Sequence, residues 1–249
     1  MNIETLYEDN DLIIVNKPAG LLVIPDRFNA EIPSLVRLLE AKARGEKRWV
    51  VHRLDRETSG VICFAKNEET HRYLSILFQE REVTKLYAGL VTGIVVPEDG
   101  TIEGAIIEHP AFPGKMLVAK KGKHAITDYK VVEQWPLYAL LQFRIHTGRT
   151  HQIRVHMQYI GHPLVCDDLY GDGEPFFLSS IKRKYNMSGK DEQEKPLLSR
   201  TALHAYRITF HKQDGTLVTA DAELPKDMSA VVKQLNKWTP PKPAVEDIS

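Results

Sequence analysis

A succession of strand-like segments after residue 81 constrains the fold more than any other feature of this sequence. Apolar and polar residues alternate within the segments, as they do in a half-buried β-strand, and turn-forming residues lie between them. The segments are 84–91, 100–107, 125–133, 138–145, 203–210 and 217–224. Strands do not alternate regularly with helices, as they would in a parallel sheet. The sequence therefore predicts an α+β fold with a mixed, mainly antiparallel sheet flanked by helices.

The rest of the chain supplies a hairpin and several helices. Residues 3–7 and 12–15 flank a polar turn and predict two antiparallel strands. The spacing of apolar residues predicts helices over 34–45, 67–81, 150–160 and 229–238. No repeat and no flexible linker divides the chain, so we expect one domain over residues 1–238. The prolines of segment 239–249 exclude helix and central strand and predict a flexible tail.

The composition is that of an ordinary globular protein. Of its 249 residues, 43% are hydrophobic and 27% are charged, which excludes collagen-like, coiled-coil and wholly disordered chains. No apolar run approaches the roughly 18 residues of a membrane span, and residues 1–4 lack a signal-peptide pattern, so we expect a cytoplasmic protein. Cys63 and Cys166 are too few for a disulfide framework or a Cys-based zinc site, and we expect both to be buried packing residues.

The distribution of charge is more informative than its sum. Lys and Arg number 33 and so do Asp and Glu, and a net charge of zero argues against binding nucleic acid by bulk attraction alone. Residues 113–154 nevertheless include eight basic and only two acidic residues. This segment predicts a local basic face, with a merely solvated face as an equal alternative.

The densest polar cluster is a predicted loop, residues 52–60, with the sequence HRLDRETSG. Asp55 lies between Arg53 and Arg56, and nearby positive charge favours the ionised carboxylate. An ionised aspartate in a loop can serve as a nucleophile or a general base. The alternative is a loop whose Asp and Thr side chains bond their own backbone.

A second cluster, residues 146–156, contains three histidines at intervals of five residues. Zinc-binding helices place two histidines four residues apart on one face, so this spacing argues against a metal site. Gly148 and Thr150 instead predict a turn and a helix cap. Arg149 would then lie beside a helix N-terminus, which is a favourable place for a phosphate.

Tyr87 lies in a predicted strand among small residues that leave room beside its ring. A strand tyrosine usually packs in the core or at an edge. If the face of this ring is free, it can stack on an RNA base.

Taken in order, these segments resemble the RluA-type family of RNA pseudouridine synthases. The matching motifs are NKPAGL at 16–21, HRLDRETSG at 52–60, TGRTHQIRVH at 147–156 and LHA at 203–205. The resemblance runs from about residue 8 to residue 223. It implies that residues 1–238 form a pseudouridine synthase catalytic domain with a central RNA-binding cleft. Since the chain shows no S4 domain ahead of these motifs, we expect RNA selection to rest on the catalytic domain.

The resemblance also implies roles for individual residues. Asp55 matches the catalytic aspartate of the family, and Arg154 matches the basic residue that pairs with it. Tyr87 matches the tyrosine that stacks on the target uracil. Arg53 matches the arginine that fills the space left by the flipped nucleotide, which an enzyme acting on a base must take out of its stack.

The expected partner is a structured RNA, an rRNA or tRNA stem-loop. We expect five further residues to bind it: Lys120, Lys121, Lys123, Arg149 and His151. The reaction class is isomerisation of uridine by a monomer without cofactor or metal. Asp55 could attack the sugar, attack the base or remove a C2′ proton, and the sequence leaves all three open. The alternative functions are a non-catalytic RNA-binding or ribosome-assembly protein and a histidine-metal hydrolase.

Overall fold

A computed structural model describes residues 3–29, 31–182, 184–185 and 193–240. The strands are β1 (Glu4–Glu8), β2 (Leu12–Lys17), β3 (Trp49–Val50), β4 (Ser59–Ala65), β5 (Thr84–Thr92), β6 (Asp99–Glu103), β7 (Ile106–Glu108), β8 (Met116–Val118), β9 (Ile126–Gln134), β10 (Tyr138–Ile145), β11 (Leu203–His211) and β12 (Leu217–Asp221). The helices are α1 (Leu35–Lys42), α2 (Glu68–Glu80), α3 (Gln152–Tyr159) and α4 (Lys226–Trp238). None of the helices in this part of the chain is long and apolar enough to cross a bilayer.

Ten strands form one mixed sheet in the order β1-β2-β4-β11-β5-β10-β9-β6, with β3 beside β4 and β12 beside β11. The pairing of β4 with β11 is parallel, and the other pairings within this sheet are antiparallel. Strands β7 and β8 form a separate hairpin, which we call the β7–β8 arm. The predicted α+β class with a mixed, mainly antiparallel sheet is therefore confirmed.

Helices cover both faces of the sheet because successive strand residues point to opposite sides. In β2, Ile13 and Val15 pack in the same core as Leu35 and Leu39 of α1. Their neighbours Leu12 and Ile14 pack in the opposite core with Leu74 and Leu77 of α2. A third core lies under α4, where Met228, Val231 and Leu235 surround Trp135. Cys63 and Cys166 are both buried, as expected.

Three local predictions differ from the structure. The predicted strand 100–107 is divided between β6 and β7, because the chain leaves the sheet at Gly104 and Ala105 to enter the arm. Strand β8 has only three residues and was not predicted. Helix α3 starts at Gln152 rather than at Thr150, since His151 adopts a left-handed conformation with φ of 55°. In the predicted tail, Thr239 bonds Leu235 of α4, and residues 241–249 lie outside the described part of the chain.

Gly60 allows β4 and β11 to approach closely at their parallel pairing. Its φ is +114°, which L side chains rarely adopt, and a Cβ atom would lie 2.0 Å from the carbonyl oxygen of Ala205. Beside this contact, the Ser59 hydroxyl and Nδ1 of His204 form a buried hydrogen bond of 2.9 Å. The loop that carries Asp55 ends at this point, so the pairing fixes where that loop meets the sheet.

We expect Gly60→Ala to lower the free energy of unfolding by about 3 kcal/mol, because backbone strain and overpacking add. Denaturant unfolding measures this. Gly215→Ala is the matched control, since Gly215 also has positive φ but open space around it, and it should cost only about 1 kcal/mol. Equal losses in the two variants would contradict a steric role for Gly60.

Candidate active site

A cleft of about 910 Å³ opens beside the Asp55 loop, residues 52–60. Six of the predicted site residues line it: Arg53, Asp55, Tyr87, Arg149, His151 and Arg154. They come from the loop before β4, from β5 and from the segment that leads into α3. The fold therefore brings together residues up to about 100 positions apart. The three predicted lysines lie elsewhere.

Asp55 faces two basic side chains. Its Oδ2 lies 3.6 Å from Nη1 of Arg154, and its Oδ1 lies 4.0 Å from Nε2 of His151. The Asp55 side chain keeps 28% of its exposure, whereas that of Arg154 keeps 6%. The carboxylate is thus open to the cleft while its cationic partner is buried behind it.

Arg154 is held in place by a carboxylate that the sequence analysis missed. Its Nε and Nη2 donate to both oxygens of Asp167 at 2.7 Å, and Nη2 also donates to Asp168 at 3.2 Å. Asp167 is fully buried and accepts from the amides of Leu169 and Tyr170. Arg154 therefore pairs more closely with Asp167 than with Asp55. This bidentate pair fixes the direction in which its remaining nitrogen points.

His151 lies between Asp55 and Tyr170. Its Nδ1 is 2.9 Å from the Tyr170 hydroxyl, which in turn accepts from the amide of Met116 at 2.8 Å. Burial lowers the pKa of His151, against the opposing charge of Asp55. When the His151 imidazole is neutral, Arg154 is the positively charged one of the two basic side chains that face Asp55.

Two basic side chains, Lys17 and Arg200, hold the end of the Asp55 loop. Lys17 Nζ donates to the carbonyls of Pro18, Leu21 and Arg56 at 2.8 to 3.0 Å. Arg200 makes a two-bonded pair with Asp227 and donates to the carbonyl of Glu57 at 3.1 Å. The carbonyls of the two residues that follow Asp55 are thus each held by a hydrogen bond from a basic side chain.

His52 holds the start of the same loop. Its Nε2 accepts from the amide of Cys63 at 3.1 Å, and its ring stacks on Phe78 with centroids 4.6 Å apart. Burial, with the charge of Lys85, lowers the pKa of His52 to about 3. This histidine is neutral at neutral pH and is a packing residue of the loop.

Tyr87 lies on β5 with its side chain toward the cleft and 7% exposed. Burial and the charge of Asp55 raise the pKa of its hydroxyl. Arg53 is exposed at the rim of the cleft. Tyr87 and Arg53 thus line the same cleft as Asp55, and the roles that the resemblance implies for them stay predictions.

Lys120, Lys121 and Lys123 are exposed on the connection between β8 and β9, at the base of the β7–β8 arm. They do not line the cleft. The next residue, His124, accepts from Nε of Arg149 through its carbonyl at 3.1 Å. Because Arg149 lines the cleft, this bond places the lysine loop at the cleft margin.

The predicted helix cap at Thr150 is wrong, because the residue before α3 is His151, whose side chain makes no capping hydrogen bond. The Gln152 side chain, rather than a cap from Thr150, accepts from the amide of Arg149 at 3.0 Å. It also bonds Thr147 and the carbonyl of Ile126, which ties the segment to β9. The amide of Arg149 is therefore already used within the protein, and a phosphate contact by Arg149 stays a prediction.

The three histidines of the second cluster point to different partners. His146 bonds Asp128, His151 bonds Tyr170, and buried His156 bonds Thr127 and the carbonyl of Gly104. Across the described residues, no group of three or more His, Cys, Asp or Glu side chains is placed to hold a metal ion.

Comparison with known proteins shows the family to which this chain belongs. The family model described as RNA pseudouridylate synthase matches residues 11–159. An uncharacterized RNA pseudouridine synthase of Aquifex aeolicus is 37% identical over 251 residues, which is 96% of this chain and 74% of that protein. The chain belongs to the RNA pseudouridylate synthase family. The predicted RluA-type family and enzyme class, an isomerase acting on RNA, are confirmed.

Other members of the pseudouridylate synthase family extend the comparison. Ribosomal large subunit pseudouridine synthase D of Neisseria meningitidis serogroup B is 38% identical over 92% of this chain, which spans 60% of that protein's length. The solved structure of human RNA pseudouridylate synthase domain containing 4 has a TM-score of 0.70 over 94% of this chain at 23% identity. Human RNA pseudouridylate synthase domain containing 1 has a TM-score of 0.66 at 25% identity and covers 97% of both chains. The pseudouridine synthase fold is thus confirmed.

The titration of His52 predicts a pH dependence of stability. The unfolded chain binds a proton at the ordinary pKa of 6.5, whereas the folded protein does not until about pH 3. The unfolded state therefore gains protons first, and stability is lost as the pH falls below 6.5. Between pH 7.5 and 5.5 this histidine should account for a loss of about 1 kcal/mol.

Denaturant unfolding of His52→Gln at both pH values tests this expectation. The glutamine oxygen can still accept from Cys63, but it does not titrate. The pH-dependent loss should therefore be smaller by about 1 kcal/mol than in the unsubstituted protein. His211→Gln, at an exposed position, is the control and should leave the slope unchanged. An unchanged slope in His52→Gln would show that His52 takes up its proton equally in both states.

Proposed function

We propose that Asp55 is the catalytic residue with which this RNA pseudouridine synthase converts uridine into pseudouridine. The observation that carries the proposal is its partly exposed carboxylate beside a buried Arg154 that Asp167 fixes in place. A guanidinium that is itself held by a bidentate pair gives the Asp55 carboxylate a fixed, positively charged neighbour. Non-catalytic RNA binding does not need such an arrangement, because a carboxylate among phosphates weakens binding.

The reaction needs few groups from the protein. The bond between N1 and C1′ breaks, the uracil turns, and C5 bonds to C1′. The hydrogen on C5 leaves as a proton and N1 gains one, so the overall change is an isomerisation with no redox step. Asp55 can act on the sugar, on the base or on the C2′ proton. We propose that the Tyr87 ring stacks on the uracil and that Arg53 enters the space that the flipped nucleotide leaves.

The substrate we propose is a stem-loop of ribosomal or transfer RNA. The name of the Neisseria relative refers to the large ribosomal subunit, which favours rRNA. Sequence-specific recognition of RNA relies on bases in loops and bulges that can be turned out. We further propose that Arg149, His151 and the lysine loop (Lys120, Lys121 and Lys123) contact this RNA, with His151 next to the reacting nucleotide. Action as a monomer in the cytoplasm stays a prediction.

Asp55→Asn should abolish pseudouridine formation, with a loss of at least about 10³-fold in rate. The measurement is carbodiimide mapping of pseudouridine in total RNA from cells that lack the gene and carry either form. A site lost on deletion should return with the unsubstituted protein and not with the variant. Asp214→Asn, at an exposed turn, is the control and should restore the site. Restoration by Asp55→Asn would refute the catalytic assignment.

Replacing Lys120, Lys121 and Lys123 with Glu should weaken RNA binding and make it less sensitive to salt. Each lost phosphate contact lowers the slope of log affinity against log salt by about 0.7 to 0.9. Binding titrations at several salt concentrations measure this. The control carries the same change at Lys226, Lys233 and Lys237 of α4, which are exposed and do not line the cleft. Equal losses of RNA affinity in the two triple variants would contradict a specific role for the lysine loop.

A further inference from the structure

Four cationic side chains are buried in the described part of the chain: Lys17, Arg48, Lys85 and Arg154. Three have close partners. Lys17 donates to three carbonyls, Arg48 pairs with Glu46, and Arg154 pairs with Asp167. Within the described residues, no hydrogen bond or ion pair engages the side chain of Lys85; its ammonium lies 5.5 Å from the ring centroid of Phe78.

Lys85 lies in the cleft on the same strand face as Tyr87. It is 9% exposed, lines the cleft, and precedes Tyr87 by two positions on β5, so both side chains point to one side of the sheet. The two residues are about 7 Å apart along the strand. A base stacked on Tyr87 would therefore bring its own backbone near Lys85.

The charge of the cleft fits a polyanion. Its lining contains five Lys or Arg residues and a single carboxylate, that of Asp55. The cations are Arg53, Arg81, Lys85, Arg149 and Arg154. Burial lowers the pKa of Lys85 to about 8, which leaves its ammonium charged in most molecules at neutral pH.

A buried charge without a partner destabilises a folded protein. Such a group is retained when a ligand supplies the missing partner, at a cost in stability to the free protein. For Lys85, that ligand must be an anion that enters the cleft.

We propose that the Lys85 ammonium binds a backbone phosphate of the RNA strand beside the uridine that stacks on Tyr87. This inference rests on the proposed function, since it takes RNA as the occupant of the cleft. Lys85 is here a binding residue, and the chemistry at Asp55 does not pass through it.

Lys85→Met should change stability and RNA affinity in opposite directions. Methionine fills the same space without a charge, so we expect Tm to rise by about 3 °C or more. Binding of a fluorescein-labelled RNA hairpin of about 20 nucleotides, measured in the Asp55→Asn background to prevent turnover, should weaken roughly ten-fold. The salt slope should fall by about 0.7 to 0.9, which corresponds to one phosphate.

Two further variants separate the proposal from its alternatives. Lys85→Arg keeps the charge and should keep the salt slope. Lys130→Met, at an exposed position outside the cleft, should alter neither the Tm nor the RNA affinity. An unchanged affinity and slope in Lys85→Met would refute the phosphate site while leaving Asp55 as the catalytic residue. A fall in Tm would show that Lys85 is a structural residue, and failure of the unsubstituted protein to bind the hairpin would contradict the proposed function as well.

Discussion

The site depends on how firmly the backbone just after Asp55 is held. The carbonyl of Arg56 accepts from buried Lys17, and the carbonyl of Glu57 accepts from Arg200. Loops on a protein surface are ordinarily the mobile part of a fold. Here two basic side chains from distant parts of the chain, Lys17 and Arg200, donate hydrogen bonds to the carbonyls of two adjacent residues. The carboxylate of Asp55 can therefore be exposed to substrate without losing its position, because the restraint acts on the main chain and leaves the side chain free.

A second constraint is that the two buried cations of the cleft, Arg154 and Lys85, differ in whether a carboxylate pairs with them. Arg154 is buried, yet Asp167 satisfies two of its nitrogens and leaves the third directed at Asp55. A buried guanidinium without Asp167 would be costly, and one without Asp55 would have no role in the cleft. Lys85 is the contrasting case, since no comparable carboxylate accompanies it among the described residues. Of the two buried cations that line the cleft, one thus has carboxylate partners and the other, Lys85, has none.

The histidines of the motifs serve the fold in several places. His52 anchors the amide of Cys63, and His204 bonds Ser59 beneath the Asp55 loop. His156 bonds Thr127 inside the sheet. Burial lowers the pKa of all three, so they act as neutral hydrogen-bonding groups. The three histidines at intervals of five residues have separate hydrogen-bond partners, because the chain turns at His151, where φ is positive.

The sequence by itself determined the strand pattern, the α+β class and the motif residues Asp55, Tyr87 and Arg154, because alternation of apolar residues and local motifs are properties of short segments. It also located α2 closely, since Asn67 caps that helix through its own side chain. It did not identify Asp167, Lys17, Lys85 or Arg200 as parts of the site. Their roles depend on partners far away in the chain, such as the bond from Arg200 to Glu57. Only the tertiary structure decided those, because burial and pairing of charges arise when distant strands meet, and no local pattern records which segment will lie opposite.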